Sequence, residues 1–140
     1  MLYITGLQAL NLNCSLETFG DWHQSSLSWK VLDFVESDDS FYGDYGLEVN
    51  CHIPCHEGSF LVANHLRAIL DLLLRQEFSI LQGMRDNFIG VDLYDEEFFN
   101  LVYRMHVLPY WSKIDEFMRN EYFMKWVRFM EVNNGGKLAV

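Results

Sequence analysis

The chain reads as an α+β fold, mostly α-helical, with two or three short N-terminal strands followed by a bundle of about five helices. Three observations lead there. Between Gly58 and Glu77 (GSFLVANHLRAILDLLLRQE), Val62, Leu66, Ile69 and Leu73 recur at three- and four-residue spacing, the period of one helix face. From Leu47 to Ile53 (LEVNCHI), Leu47, Val49, Cys51 and Ile53 alternate with polar residues, the period of a strand. Helical patterns then recur from Phe78 to Val132, while strand-like runs keep to the N-terminal side. That segregation argues against an alternating parallel sheet.

Leu2–Thr5 is a short β-favourable run broken at Gly6, and Leu7, Leu10 and Leu12 suit a second short strand or a turn. Asn11, Asn13 and Ser15 mark an irregular connection. A helix is expected next, capped by Asp21 or Ser25, with Leu27, Val31, Leu32, Phe34 and Val35 as its apolar positions and Trp22 and Trp29 as anchors. Residues 37–46 (SDDSFYGDYG) read as a loop or hairpin tip. Pro54 ends the Leu47–Ile53 strand, and Ser59 is placed to cap the central helix.

Phe78–Ile89 has apolar residues at 78, 81, 84 and 88, with Gly90 as its stop. Asp92 or Asp95 opens the next helix, whose inward face is Phe98, Leu101, Val102 and Met105, and Glu96 and Glu97 suit its positive end. After Pro109, Ser112 is placed to cap a helix carrying Ile114, Phe117 and Met118. Asn120 is expected to bend the chain before a last helix, Tyr122–Val132, that holds Trp126, Phe129 and Met130.

The 140 residues suit one compact domain. Residues 1–56 form its acidic part, 57–132 its helical part and 133–140 a frayed tail. Half of the residues are apolar and 16% aromatic, well above a disordered composition. No apolar run approaches the ~20 residues of a membrane helix, and no basic region precedes the first apolar run, so the expected compartment is the cytoplasm.

Net charge is −10, and it is uneven: residues 1–56 carry eight acids against Lys30 alone. An acidic face repels nucleic-acid phosphate and favours a basic protein partner, with Asp38, Asp39 and Asp44 at its centre.

The densest chemistry lies in CHIPCHEG, Cys51–Gly58, with two cysteines and two histidines in six residues. Thiolates and imidazoles are zinc ligands, and Cys51, Cys55 and His56 are the local candidates. The tetrahedral arrangement to test draws on Cys14, His23, Cys55 and His56, with zinc as cofactor, and a metal-dependent hydrolase would use Cys51, Cys55, His56 and His23. A second ligand pair at recognisable spacing is missing, and Cys51 falls in the apolar phase of its strand, so a metal-free reading outweighs it. Asp21 and His23 (GDWH) could pair, although Asp21 also suits a helix cap. Arg67 reads as a solvated helix position paired with Asp71 at i+4. Zinc-protease, P-loop, deaminase and G-x-S-x-G motifs are all absent, and no catalytic residue is assigned.

The C-terminal WSKIDEFMRNEYFMKWVRFME carries more large apolar side chains than one face of two helices hides. Tyr122, Phe123, Trp126 and Phe129 are therefore expected to leave an exposed contact patch. These features favour a small, acidic, non-enzymatic protein-interaction domain of antitoxin-like, inhibitor or adaptor type. Two alternatives stand beside it. One is a zinc protein or metal-dependent hydrolase built on the cysteine–histidine cluster, and the other a structural subunit of a homodimer or larger homo-oligomer.

Overall fold

A computed structural model describes residues 1–23 and 26–138, the last five by backbone alone. The fold is α+β and mostly helical, as its periodicities predict. Four strands form one mixed sheet: β1 (Leu2–Ile4), β2 (Phe34–Glu36), β3 (Leu47–Cys51) and β4 (Phe60–Ala63), in spatial order β2-β1-β4-β3. β1 runs parallel to β4, with Ile4 opposite Val62, and both edge strands are antiparallel to their neighbours. The helices are α1 (Gly6–Leu10), α2 (His65–Leu74), α3 (Phe78–Leu81), α4 (Asp95–Tyr103), α5 (Trp111–Tyr122) and α6 (Met124–Leu138). A π-helical turn, Arg85–Ile89, lies between α3 and α4, and a 3-10 turn, Arg104–Val107, follows α4. Among the described residues no helix is long and apolar enough to cross a membrane.

The central segment divides. Phe60–Ala63 is an inner strand, and the helix starts only at His65. Val62 fits the helical period of Leu66, Ile69 and Leu73 by coincidence, and a short apolar run cannot be told from a buried strand by period alone. The cap is Asn64, not Ser59: Asn64 Oδ1 accepts from Arg67 N at 2.9 Å. Every residue of α2 from His65 to Leu73 is buried, so this is an all-round core helix rather than an amphipathic one.

Two further N-terminal expectations are corrected. Gly6–Leu10 is a helix that packs on α2, where a strand or turn was expected. Residues 27–33 are irregular, and Phe34 and Val35 belong to β2. The reason is Gln8. Its Nε2 donates to Ser28 O and Val31 O at 3.1 and 2.9 Å, and its Oε1 accepts from Asp33 N at 2.7 Å. Those backbone groups are thereby withdrawn from any i→i+4 ladder. Arg75 then grips Asp33 with two hydrogen bonds of 2.7 and 2.9 Å, tying the segment to the end of α2. Asp21 bonds His23 and Asn11 instead of capping a helix, and Ser25 lies outside the described residues.

In the C-terminal part, Gly83 and Gly90 both have positive φ and break Phe78–Ile89 into α3 and the π-turn. α4 starts at Asp95 with Glu96 and Glu97 in its first turn, as expected. α5 starts at Trp111 without a side-chain cap, so Ser112 does not cap it, and the break before α6 falls at Phe123, not Asn120. α6 extends through Leu138, and residues 139 and 140 of the tail lie outside the described residues.

Candidate functional site

The acidic loop is held in place from within. Arg67 is wholly buried, and Asp71 nearly so, one turn apart on α2. Arg67 Nε donates to Asp71 Oδ1 at 3.1 Å; its terminal nitrogens donate to Gly43 O, Tyr45 O, Tyr3 Oη and Ser40 Oγ at 2.7–3.2 Å. Tyr3 and Thr5 on and beside β1 donate to Asp71 Oδ2 at 2.6 and 2.7 Å. All five guanidinium hydrogens thus have acceptors, the condition for a charge to sit in a core. The i+4 pairing of Arg67 with Asp71 holds; its solvated setting does not. Arg67 fastens residues 40–45 to α2, and Tyr42 fastens the same loop to α4 by donating to Leu101 O at 2.5 Å.

That anchoring presents acids beside an incompletely covered part of the sheet. Leu2 and Phe60 both lie two residues before the Ile4–Val62 pair of parallel strands, so they share its outer face with Phe34, which pairs with Ile4. Ile4 and Val62 are buried on that face. Leu2 and Phe34 remain 57% and 42% exposed, and Phe34 and Phe60 rings lie 6.2 Å apart. A shallow cleft of about 240 Å³, lined by Met1, Val49, Asn50, Ser59, Phe60 and Leu61, continues the apolar surface to the β3 edge. Glu36 pairs with Leu2 across the strands, and Glu36 and Asp38 both reach the Met1 ammonium. Among the described residues no lysine or arginine forms an ion pair with Asp38, Asp39 or Asp44.

The expected C-terminal patch is largely core. Trp126 and Tyr122 are buried and Phe129 half-buried. Phe99 of α4 meets Tyr122, Trp126 and Phe129 at ring separations of 4.7, 5.3 and 5.5 Å, and Trp126 Nε1 donates to Asp115 Oδ1 at 2.8 Å. α4 supplies the covering face that a count over two helices omits. Phe123 alone of the four stands out, 64% exposed.

The zinc set is not assembled. His23 Nδ1 lies 2.7 Å from Asp21 Oδ1, His56 Nε2 donates to Trp29 O at 2.5 Å, and Cys55 is exposed. The Cys51 thiol donates to Glu48 O at 3.6 Å. Among the described residues no group of three or more His, Cys, Asp or Glu is arranged to hold a metal ion.

Cys14 instead sits beside His65, which the spacing of the motifs does not link to it. Its Sγ is 3.7 Å from Thr18 Oγ1, which is 2.6 Å from His65 Nδ1, and His65 Nε2 is 2.6 Å from Leu12 O. Burial pushes the Cys14 thiol up, but its hydrogen bonding and charge interaction with His65 outweigh that and hold it below the usual thiol range. Burial lowers His65 in turn, yet Cys14 and the Leu12 carbonyl raise it overall. The signal open to sequence reading is a histidine one place after the Asn64 cap, at the head of a fully buried helix. Comparison with protein-family models, curated proteins and solved structures finds no match to this chain.

Proposed function

We propose that this chain is a non-enzymatic protein-interaction domain of inhibitor, adaptor or antitoxin-like type. Its partner is a basic protein, met across the open corner of the sheet. The supporting observation is the apolar surface of Leu2, Phe34 and Phe60 set beside Glu36 at the end of β2 and Asp38 and Asp39 just after it, ahead of residues 40–45 that Arg67 fastens to α2. Apolar centre and charged rim are the usual anatomy of a protein interface, and the acids steer a cationic partner towards it. Three free thiols suit a reducing cytoplasm.

The test compares proteins cross-linked to the chain in cells of its own host for wild type, Phe34→Asp, Leu2→Asp and Phe123→Asp. The reading requires a basic partner that both sheet variants lose, that Phe123→Asp keeps, and whose binding weakens with salt. A partner lost only with Phe123→Asp would move the interface to the α5–α6 junction. Cross-links only to a second copy would make the chain a homo-oligomer subunit.

A further inference from the structure

The geometry points to Cys14 as an oxidisable thiol that takes a peroxide, with Thr18 and His65 as its proton relay and Cys51 as the thiol that captures the product. Leu12 O can only accept, so His65 Nε2 carries a proton and Nδ1 presents a lone pair to Thr18. Thr18 Oγ1 donates to that lone pair over 2.6 Å, and its own lone pairs face the Cys14 thiol at 3.7 Å. A proton leaving Cys14 therefore has a path through Thr18 to a base that is itself oriented by a third group, the arrangement of an activated nucleophile.

Exposure is divided suitably along this relay. His65 is 1% exposed and Thr18 buried, while Cys14 is half-buried and reachable. Gly20 is what lets the chain close over the imidazole. Its φ is +72°, and a Cβ there would fall 2.8 Å from His65 Cε1 and 2.6 Å from Leu10 O.

Cys51 approaches from β3. Ser15 N, next to Cys14, donates to both carboxylate oxygens of Glu48 at 3.1 and 3.0 Å, and the Cys51 thiol donates to the carbonyl of the same Glu48. Cys55, by contrast, is an exposed thiol in the turn beyond β3.

In the first step the Cys14 thiolate attacks a peroxide oxygen. An S–O bond forms, the O–O bond breaks, and the leaving hydroxide takes the proton held on His65, returned through Thr18, to depart as water. Sulfur loses two electrons to the peroxide and becomes a sulfenic acid. In the second step the Cys51 sulfur attacks Cys14. The S–S bond forms, the S–O bond breaks, and hydroxide leaves with the Cys51 proton as a second water.

The test uses the full reduced chain and hydrogen peroxide. At neutral pH, iodoacetamide modifies Cys14 roughly tenfold faster than Cys55 in the same molecule. Thr18→Val brings the two rates together, and Thr18→Ser, which keeps the hydroxyl, restores the difference; circular dichroism confirms that both variants fold. After peroxide, peptide mass mapping finds Cys14 linked to Cys51 in the wild type, and in Cys51→Ser dimedone traps a sulfenic acid on Cys14. Equal alkylation of Cys14 and Cys55 in the wild type would overturn the relay. A wild-type product bridged through Cys55, or left unbridged, would overturn the capture by Cys51.

Discussion

Arg67 and Asp71 stand one turn apart on the same helix, joined at 3.1 Å, with the guanidinium sealed from solvent. The pair spans the molecule's layers: Asp71 receives β1 through Tyr3 and Thr5, and Arg67 receives the acidic loop through two carbonyls.

Removing one member leaves the other as an uncompensated buried charge. Arg67→Met is expected to cost about 3–5 kcal/mol of unfolding free energy, and Arg67→Met with Asp71→Leu less than the two single costs together. Urea denaturation of the four members of this cycle measures the coupling. Strict additivity would show that the pair does not act as a unit.

Phe123 is strained where it stands. Its φ and ψ of 53° and −128° fall where residues with a Cβ are rarely found, and its ring is exposed. Phe123→Gly is expected to raise stability by about 1 kcal/mol, seen as a rise of a few degrees in Tm. A drop would mean that the exposed ring makes contacts worth more than the strain it carries.

Alkaline pH is expected to destabilise the fold through its tyrosines. Burial first, with Asp71 reinforcing at Tyr3 and Asp95 at Tyr122, raises the phenols of Tyr3, Tyr42 and Tyr122 above their ordinary value. Above about pH 10 the unfolded chain releases those protons and the folded chain retains them. The unfolded state then binds fewer protons, so stability is intact below that pH and falls as it rises, by at most ~1.4 kcal/mol per pH unit for each tyrosine. Urea midpoints between pH 8 and 11 measure the fall, and tyrosinate absorbance should appear together with loss of ellipticity. Ionisation of these phenols well before unfolding would contradict it.

The legible parts of the sequence were those governed by local period and punctuation. Gly90 ended its segment in a left-handed cap, Asp95, Glu96 and Glu97 opened α4, and alternation marked β3. What was hidden depended on partners distant in the chain. Gln8 holds residues 28–33 out of a helix from 20 to 25 residues away, and Phe99 covers aromatics that looked surplus from α5 and α6 alone. The candidate interface was half visible. The charge of Asp38, Asp39 and Asp44 was plain from composition, but the apolar ground beside it is made by Leu2, Phe34 and Phe60, which meet only through strand register. Arg67 looked exposed because charge on a helix usually is, although its position inside LRAILDLLL left little room for a solvated face.

The parallel pairing of Leu2–Ile4 with Phe60–Ala63 has a consequence for how the chain is made. β1 must wait for about 55 further residues before its inner neighbour β4 begins, and longer for α2 to supply Arg67 and Asp71 beneath it. Until then β1 can hold only β2, a short antiparallel ribbon too small to be stable in water. During translation the β1–β2 ribbon therefore keeps an unpaired inner edge until the residues through about 75 have left the ribosome.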